Sequence, residues 1–355
     1  MNFYRSLLVS LLLVLQGGAL SSRAWTTPLS LKSLCSRLLS LSQESLPLSS
    51  LSHKRLHLWD NWGHYDRFTQ SFHRFALAAP KHLSPEDRHF HSHIHHFTSS
   101  DGQTWEDQGP LISADFDPQV TTLWSGSSYF DSQSGEWLLY FTGVQDDTLH
   151  SQSLWLVRTR DHKTWSSPER LADPYLDSEL KNQLLEEGYH LGQEDNIISS
   201  FRDPFRKKDR LLFAGKAFDP SGQLRPVVGQ LRLNSQGQIN RVDSPIFLPL
   251  EDKVTQIELP SLVRYSGREY LMVTANNQGQ VDGPAPKRMK SQLLLFEASN
   301  DGVYAATSYK KAQLVFDQNS GLFSGTPLAY APKGKLLLFS FRLRALTLSP
   351  LIPVY

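Results

Sequence analysis

The chain is nearly devoid of cysteine: Cys35 is the only one in 355 residues, so disulfides cannot staple the fold and packing with hydrogen bonds must hold it. Methionine is scarce as well, at three residues, and so is net charge, since 36 Lys and Arg face 35 Asp and Glu. Bases and acids are interspersed, which excludes the one-sign field that a nucleic-acid or anionic-surface partner requires. After the first two dozen residues no apolar run is long enough to span a bilayer. Long amphipathic helical periodicity is also missing; only Ser178 to Glu187 reads as a short helix in the body of the chain.

The N-terminal segment differs from the rest. Arg5, the apolar run Leu7 to Leu15 and Ser22-Arg23-Ala24 read as a signal peptide over residues 1–24, which predicts a secreted or periplasmic protein; a short membrane anchor is the competing reading. Residues 25–52 are rich in Leu and Ser and read as a linker or prosegment, with an amphipathic helix near Leu29 to Leu41 as the alternative. Residues 53–355 read as one domain.

Aromatics are plentiful, with 19 Phe, 12 Tyr and 8 Trp, and they fall in short β runs broken by Gly, Asp, Asn and Ser. One strand type recurs around Phe75, Phe141, Phe213, Val273 and Phe339, at spacings of 66, 72, 60 and 66 residues. A second repeat, D-x-x-T-W, occurs at Asp101–Trp105 and Asp161–Trp165, with an echo at Asn300-Asp301-Gly302, and reads as a tight turn feeding an outer strand. Units of this length cannot bury their own faces, so copies must stack around an axis. The expectation is an all-β, five-bladed β-propeller with a central active-site pocket, and Trp105 and Trp165 packing between blades.

Unusual carboxylates sit just before three of the recurring strands: Asp60 in Trp59-Asp60-Asn61-Trp62, Asp203 in Phe201-Arg202-Asp203-Pro204, and Glu258 in Gln256-Ile257-Glu258-Leu259-Pro260. Before the second strand stands Trp124-Ser125-Gly126-Ser127. Each acid alone reads equally well as a turn cap or an arginine partner. Three acids on separate blades, among aromatics and hydroxyls, fit sugar chemistry, because a glycosidic bond needs a nucleophile and a proton donor on opposite sides.

In this order, WDNW, WSGS, FRDP and QIELP resemble the motifs of glycoside hydrolase family 68, the levansucrases, inulosucrases and bacterial invertase-like enzymes. The resemblance implies a retaining enzyme acting on sucrose or a related fructoside through a covalent fructosyl-enzyme. By position, Asp60 matches the nucleophile, Glu258 the acid/base and Asp203 the transition-state stabiliser, while Trp59, Trp124, Ser125 and Arg202 match residues lining the sugar pocket. No cofactor and no catalytic metal is implied, and the expected partner of a monomeric chain is a small carbohydrate. Two positions depart from the family: Leu259 stands where an arginine usually follows the acid/base, and Gln256 where many members have an acid. Rival expectations are an arabinosidase or β-fructosidase of a sister five-bladed family, and a non-catalytic glycan-binding propeller.

Three other features have plain and functional readings. His89, His91, His93 and His95 alternate as along one face of a strand, either an exposed histidine-rich strand or a zinc or copper ligand set. Asp146-Asp147 reads as a solvated turn or a calcium site. Lys207-Lys208 and Lys287 to Lys290 read as solvated surface.

Overall fold

The computed structural model describes residues 50–354, apart from 85–86, 148, 193–199, 266–267, 278–290, 299–308, 310–312, 318–320, 331–335 and 343–344. The signal-peptide reading, the linker reading up to residue 49, the Asn300-Asp301-Gly302 echo and Lys287 to Lys290 therefore lie outside the described residues. Five four-stranded antiparallel sheets follow one another along the chain. Blade 1 holds β1 (Leu56–Asp66), β2 (Ser71–Pro80), β3 (His93–Ser99) and β4 (Glu106–Ile112). Blade 2 holds β5 (Thr122–Asp131), β6 (Glu136–Val144), β7 (Gln152–Thr159) and β8 (Glu169–Ala172). In blade 3 come β9 (Phe201–Lys207), β10 (Arg210–Phe218), β11 (Leu224–Leu233) and β12 (Ile239–Phe247). Blade 4 has β13 (Gln256–Tyr265), β14 (Arg268–Asn276), β15 (Gln292–Glu297) and β16 (Gln313–Asp317). Blade 5 has β17 (Leu322–Pro327), β18 (Leu336–Arg342), β19 (Thr347–Leu348) and β20 (Ile352–Val354), the last two pairing with successive parts of β18.

The recurring strands are the second strand of each blade. Their centres Phe75, Phe141, Phe213, Val273 and Phe339 are at most 1% exposed, because a strand flanked on both edges and covered on both faces by neighbouring blades is buried all round. The D-x-x-T-W turns do feed the outermost strands. The Asp101 carboxylate accepts from the backbone N–H groups of Gln103 and Thr104, and Asp161 does the same with Lys163 and Thr164. Each turn throws its Trp onto the preceding blade: Trp105 against Phe339 of blade 5 and Trp165 against Phe75 of blade 1.

Ring closure joins the two ends of the described chain. Leu51 pairs with Leu348, Leu58 N–H donates to the Leu346 carbonyl, and Tyr65 N–H donates to that of Ala329. The single α-helix among the described residues, α1 (Ser178–Glu186), lies in the connection between blades 2 and 3, capped by the Asp177 carboxylate accepting from Glu179 and Leu180 N–H. No helix among the described residues is long and apolar enough to cross a membrane.

Every innermost strand carries an irregularity near its start. Register shifts fall between Trp59 and Asn61, Trp124 and Ser127, Glu258 and Ser261, and Phe323 and Thr326, and at β9 opposite Leu212 to Ala214. A bulge adds a residue without a partner and re-aims the side chains beside it. Asp60, Asp203, Leu259 and Ser324 occupy these bulges at positive φ, a strained backbone for non-glycine residues. In blade 2 the corresponding demand is closeness: a Cβ on Gly126 would lie 1.9 Å from the Tyr140 carbonyl oxygen.

Candidate active site

The bulges bring the three predicted acids into one electrostatic cluster at the channel, although up to 198 residues separate them in the sequence. Arg202 joins two of them. Its Nη2 lies 3.6 Å from Glu258 Oε1 and its Nε 3.8 Å from Asp203 Oδ2, while Nη1 donates to Ser200 Oγ at 3.0 Å. The guanidinium sits over the Trp124 ring, 5.8 Å from its centroid. Trp124 is fixed in turn by its indole N–H donating to the His89 carbonyl at 2.9 Å.

Asp203 is the most fully held of the three. Ser125 Oγ donates to its Oδ1 at 2.8 Å, and Leu259 N–H donates to its Oδ2 at 2.9 Å. Its own backbone N–H donates to Thr142 Oγ1, whose hydroxyl donates to the Ser125 carbonyl. Burial raises its pKa, and Arg202, Leu259 N–H and Ser125 oppose that rise. Ser125, expected to line the sugar pocket, thus spends its hydroxyl on orienting an acid. Leu259 supplies the clamp through its backbone while its side chain is buried, so no cation stands at the place of the family's arginine.

Asp60 is different. Its Oδ1 is shut off from solvent without a hydrogen-bond partner. Burial first, then the charges of Glu258 and Asp203, push its pKa well above the carboxylate range, against the pull of Arg88 and Arg202. Burial also raises Glu258, with Asp203 adding to the rise and Arg202 opposing it. Mutual repulsion among the three favours a proton held within the set. The upward push is strongest on Asp60, yet that proton must stand on Glu258 when Asp60 attacks.

Trp59, expected at the pocket wall, is only 1% exposed; its ring packs beneath Arg88 at 5.1 Å and edge-on to His89 at 5.7 Å. Arg88 and Thr142 escaped sequence reasoning. Arg88 stands in a one-turn 3₁₀ segment, Asp87–Phe90, with no motif around it, and Thr142 lies within a strand that reads as core. Lys216 on β10 was likewise invisible: it is 4% exposed, and burial beside Arg202 brings its pKa down to about 7. A cavity of about 20 Å³ lined by Trp62, Gly126, Asp203, Leu259, Pro260 and Thr326 has room for about one water.

The model of the family described as levansucrase/invertase, glycoside hydrolase family 68, matches residues 44–213. That span includes Asp60, Trp124-Ser125 and Arg202-Asp203. Over that span, just under half of the chain, the sequence is similar to the levansucrase/invertase family, which indicates an enzyme of the glycoside hydrolase/fructosyltransferase class. Its fold is that of the solved levansucrases. Bacillus subtilis levansucrase superposes with a TM-score of 0.59 at 17% identity, covering 86% of this chain and 84% of that one. An inulosucrase from Halalkalicoccus jeotgali, solved bound to kestose, gives 0.60 at 17% identity over 86% and 88%. A B. megaterium levansucrase gives 0.57 at 15% identity over 80% and 78%. No curated protein matches the chain in sequence. Glu258 lies beyond the family match, so its place in the site rests on the blade repeat and on Arg202.

Elsewhere the geometry revises the histidine expectation and agrees with the turn read at Asp146-Asp147. His89 belongs to the 3₁₀ segment and His91 to a bend, so only His93 and His95 share a strand face. The alternating four-histidine strand does not exist because the segment has already turned before β3 begins. Asp147 caps a turn, its Oδ1 accepting from Leu149 and Ser151 N–H.

Proposed function

We propose that the chain transfers the fructosyl unit of sucrose, or of a related fructoside, to water or a sugar acceptor. Asp60 attacks the anomeric carbon while Glu258 donates its proton to the departing glucosyl oxygen, giving a fructosyl-enzyme ester and free glucose. Glu258, now ionised, takes a proton from water or an acceptor hydroxyl, whose oxygen displaces Asp60 with net retention. Asp203, held by Ser125 and Leu259, supports the positive charge that develops at the ring, and Arg202 steadies Glu258 over the face of Trp124.

The observation that carries this reading is the sharing of one arginine by Asp203 and Glu258, with Asp60 inside their field. Relatives solved with sucrose or kestose support the substrate class. The buried Leu259 leaves the leaving-group side without the usual arginine, which widens the substrate class to related fructosides. Export through residues 1–24 and a monomeric state are part of the same proposal.

The test is incubation of the protein with sucrose, following glucose and fructose separately beside Asp60→Asn. Glucose release that falls by about four orders of magnitude or more in the variant is expected of a lost nucleophile. Equal rates in both proteins, or no release from any fructoside, would overturn the proposal.

A further inference from the structure

A second buried polar cluster lies between blades 1 and 2, made of imidazoles. His64 on β1 stands opposite His73 on β2, His96 lies on β3, and His162 enters from the Asp161–Trp165 turn of blade 2. All four are at most 8% exposed. His64 Nε2 and His162 Nε2 are 2.9 Å apart, and His73 stacks on His162 with centroids 3.7 Å apart. One ring nitrogen from each of His64, His73 and His162 lies within 4.8 Å of the others.

Asp66 sets the protons. Thr69 Oγ1 donates to Asp66 Oδ2 at 2.9 Å, so in the 2.6 Å contact between Thr69 and Ser71 the proton must come from Ser71. With that proton spent, the 2.9 Å contact between Ser71 Oγ and His73 Nε2 requires the hydrogen on Nε2. His73 Nδ1 is therefore an acceptor and takes the hydrogen of His96 Nε2 at 3.1 Å, a bond that a metal at Nδ1 would replace. Between His64 and His162 one Nε2 carries the shared hydrogen, and the other ring holds its hydrogen on an Nδ1 that has no acceptor. His162 Nδ1 faces Asp66 Oδ2 at 3.8 Å. Asp66 is 3% exposed, and His162 is the only cationisable side chain within ion-pair distance of it among the described residues.

We infer that His64 Nε2, His73 Nδ1 and His162 Nε2 form a binding site for a late divalent transition metal of the zinc class, joining blade 1 to blade 2. A metal in place of the shared hydrogen moves the His162 proton to Nδ1, facing Asp66, the carboxylate–histidine–metal arrangement that fixes ring orientation. It also brings positive charge to the buried Asp66. Imidazole donors select zinc, copper or nickel rather than calcium or magnesium, which take oxygen. Metal–nitrogen bonds of about 2.0–2.1 Å in a tetrahedron separate ligand atoms by about 3.3 Å, so the two Nε2 atoms must part by about half an ångström. The three nitrogens now spend their lone pairs and hydrogens on neighbouring imidazoles, and a metal would take the place of those ring-to-ring bonds. The equivalent turn in blade 1 has Gly102 at φ 73°, whereas His162 accepts the same left-handed backbone at φ 59°, a cost that places an imidazole in the interface.

The test is titration of the full chain with Co²⁺ and Zn²⁺, reading the cobalt visible spectrum, metal content after gel filtration and the thermal midpoint. One equivalent per chain and a raised midpoint are expected, with binding lost in His162→Gly, which restores the backbone residue of the sister turn. Asp66→Asn, which keeps all three ligands, should weaken binding by about 10–100-fold. His95→Ala should change nothing, since His95 belongs to a separate cluster with His93, His53 and Asp107. The inference is overturned if the full chain binds no metal, if binding survives His162→Gly, or if it is lost in His95→Ala. Should His162→Gly fail to fold, unchanged affinity in Asp66→Asn overturns it.

Discussion

Strand β1 serves two buried polar clusters that solve the cost of burial in opposite ways. Near its start Asp60 joins a carboxylate trio that cannot all be neutral and still do chemistry, so arginines and aimed donors surround it. Four residues on, His64 joins imidazoles that avoid the cost by staying uncharged, linked through ring nitrogens and one hydroxyl relay. Burial raises the pKa of an acid and lowers that of a base, so the same desolvation leaves a proton on the first cluster and lone pairs on the second. The first set is suited to moving a proton and the second to holding a cation.

The sharpest way to separate the two is Glu258→Gln. Loss of the acid/base should reduce turnover of sucrose by about 10²–10⁴-fold while cobalt binding stays as it was. Turnover within a few-fold of the parent would remove Glu258 from the chemistry. Next in size is Gly126→Ala, which forces the Tyr140 carbonyl aside at the blade 2 bulge and should lower unfolding free energy by about 3 kcal/mol in denaturant titration. An unchanged midpoint would mean that the bulge yields easily.

Thr142→Val tests whether Asp203 is positioned by the strand behind it. Removing the acceptor of Asp203 N–H and the donor to Ser125 should cost about 1–3 kcal/mol and lower kcat more than it raises KM. A change in KM alone would make Thr142 a binding rather than a positioning residue.

The smallest effect is a gain. A carboxylate whose folded pKa lies above its unfolded value near 4 takes up a proton more readily when folded, so stability declines as pH rises from about 4 through the folded value. Asp60→Asn should therefore melt higher than the parent at pH 7, with the advantage fading towards pH 4. A variant that melts lower at pH 7 would show that Asp60 is stabilised as an anion, contrary to its raised pKa.

Much of the architecture was legible because repetition is written into the chain. The Phe75-type strands had to be the most enclosed of each blade, and the Asp101 and Asp161 turns repeat down to the hydrogen bonds of their carboxylates. A fifth bulge segment, Phe323-Ser324-Gly325-Thr326, parallels Trp124-Ser125-Gly126-Ser127 but carries no acid, and so drew no notice. Asp60, Asp203 and Glu258 could be read because each is a lone acid in a short segment just before a recurring strand, the first two beside aromatics.

Their partners could not be read, since each comes from a different blade. Arg88 reaches the site from a one-turn 3₁₀ segment and Thr142 from the back of β6. Ser125 looked like a sugar contact until Asp203 was found to take its hydroxyl. The histidines show the limit most clearly. Alternation suggested a strand at His89 to His95, whereas the cluster that forms draws on residues 64, 73, 96 and 162, which have no common spacing. By itself the sequence determined the number of blades and which acids stand at their inner ends, because both follow from local period and turn chemistry. Only the tertiary structure decided which charges and lone pairs face one another, because closing the ring sets side chains of neighbouring blades in contact regardless of their separation along the chain.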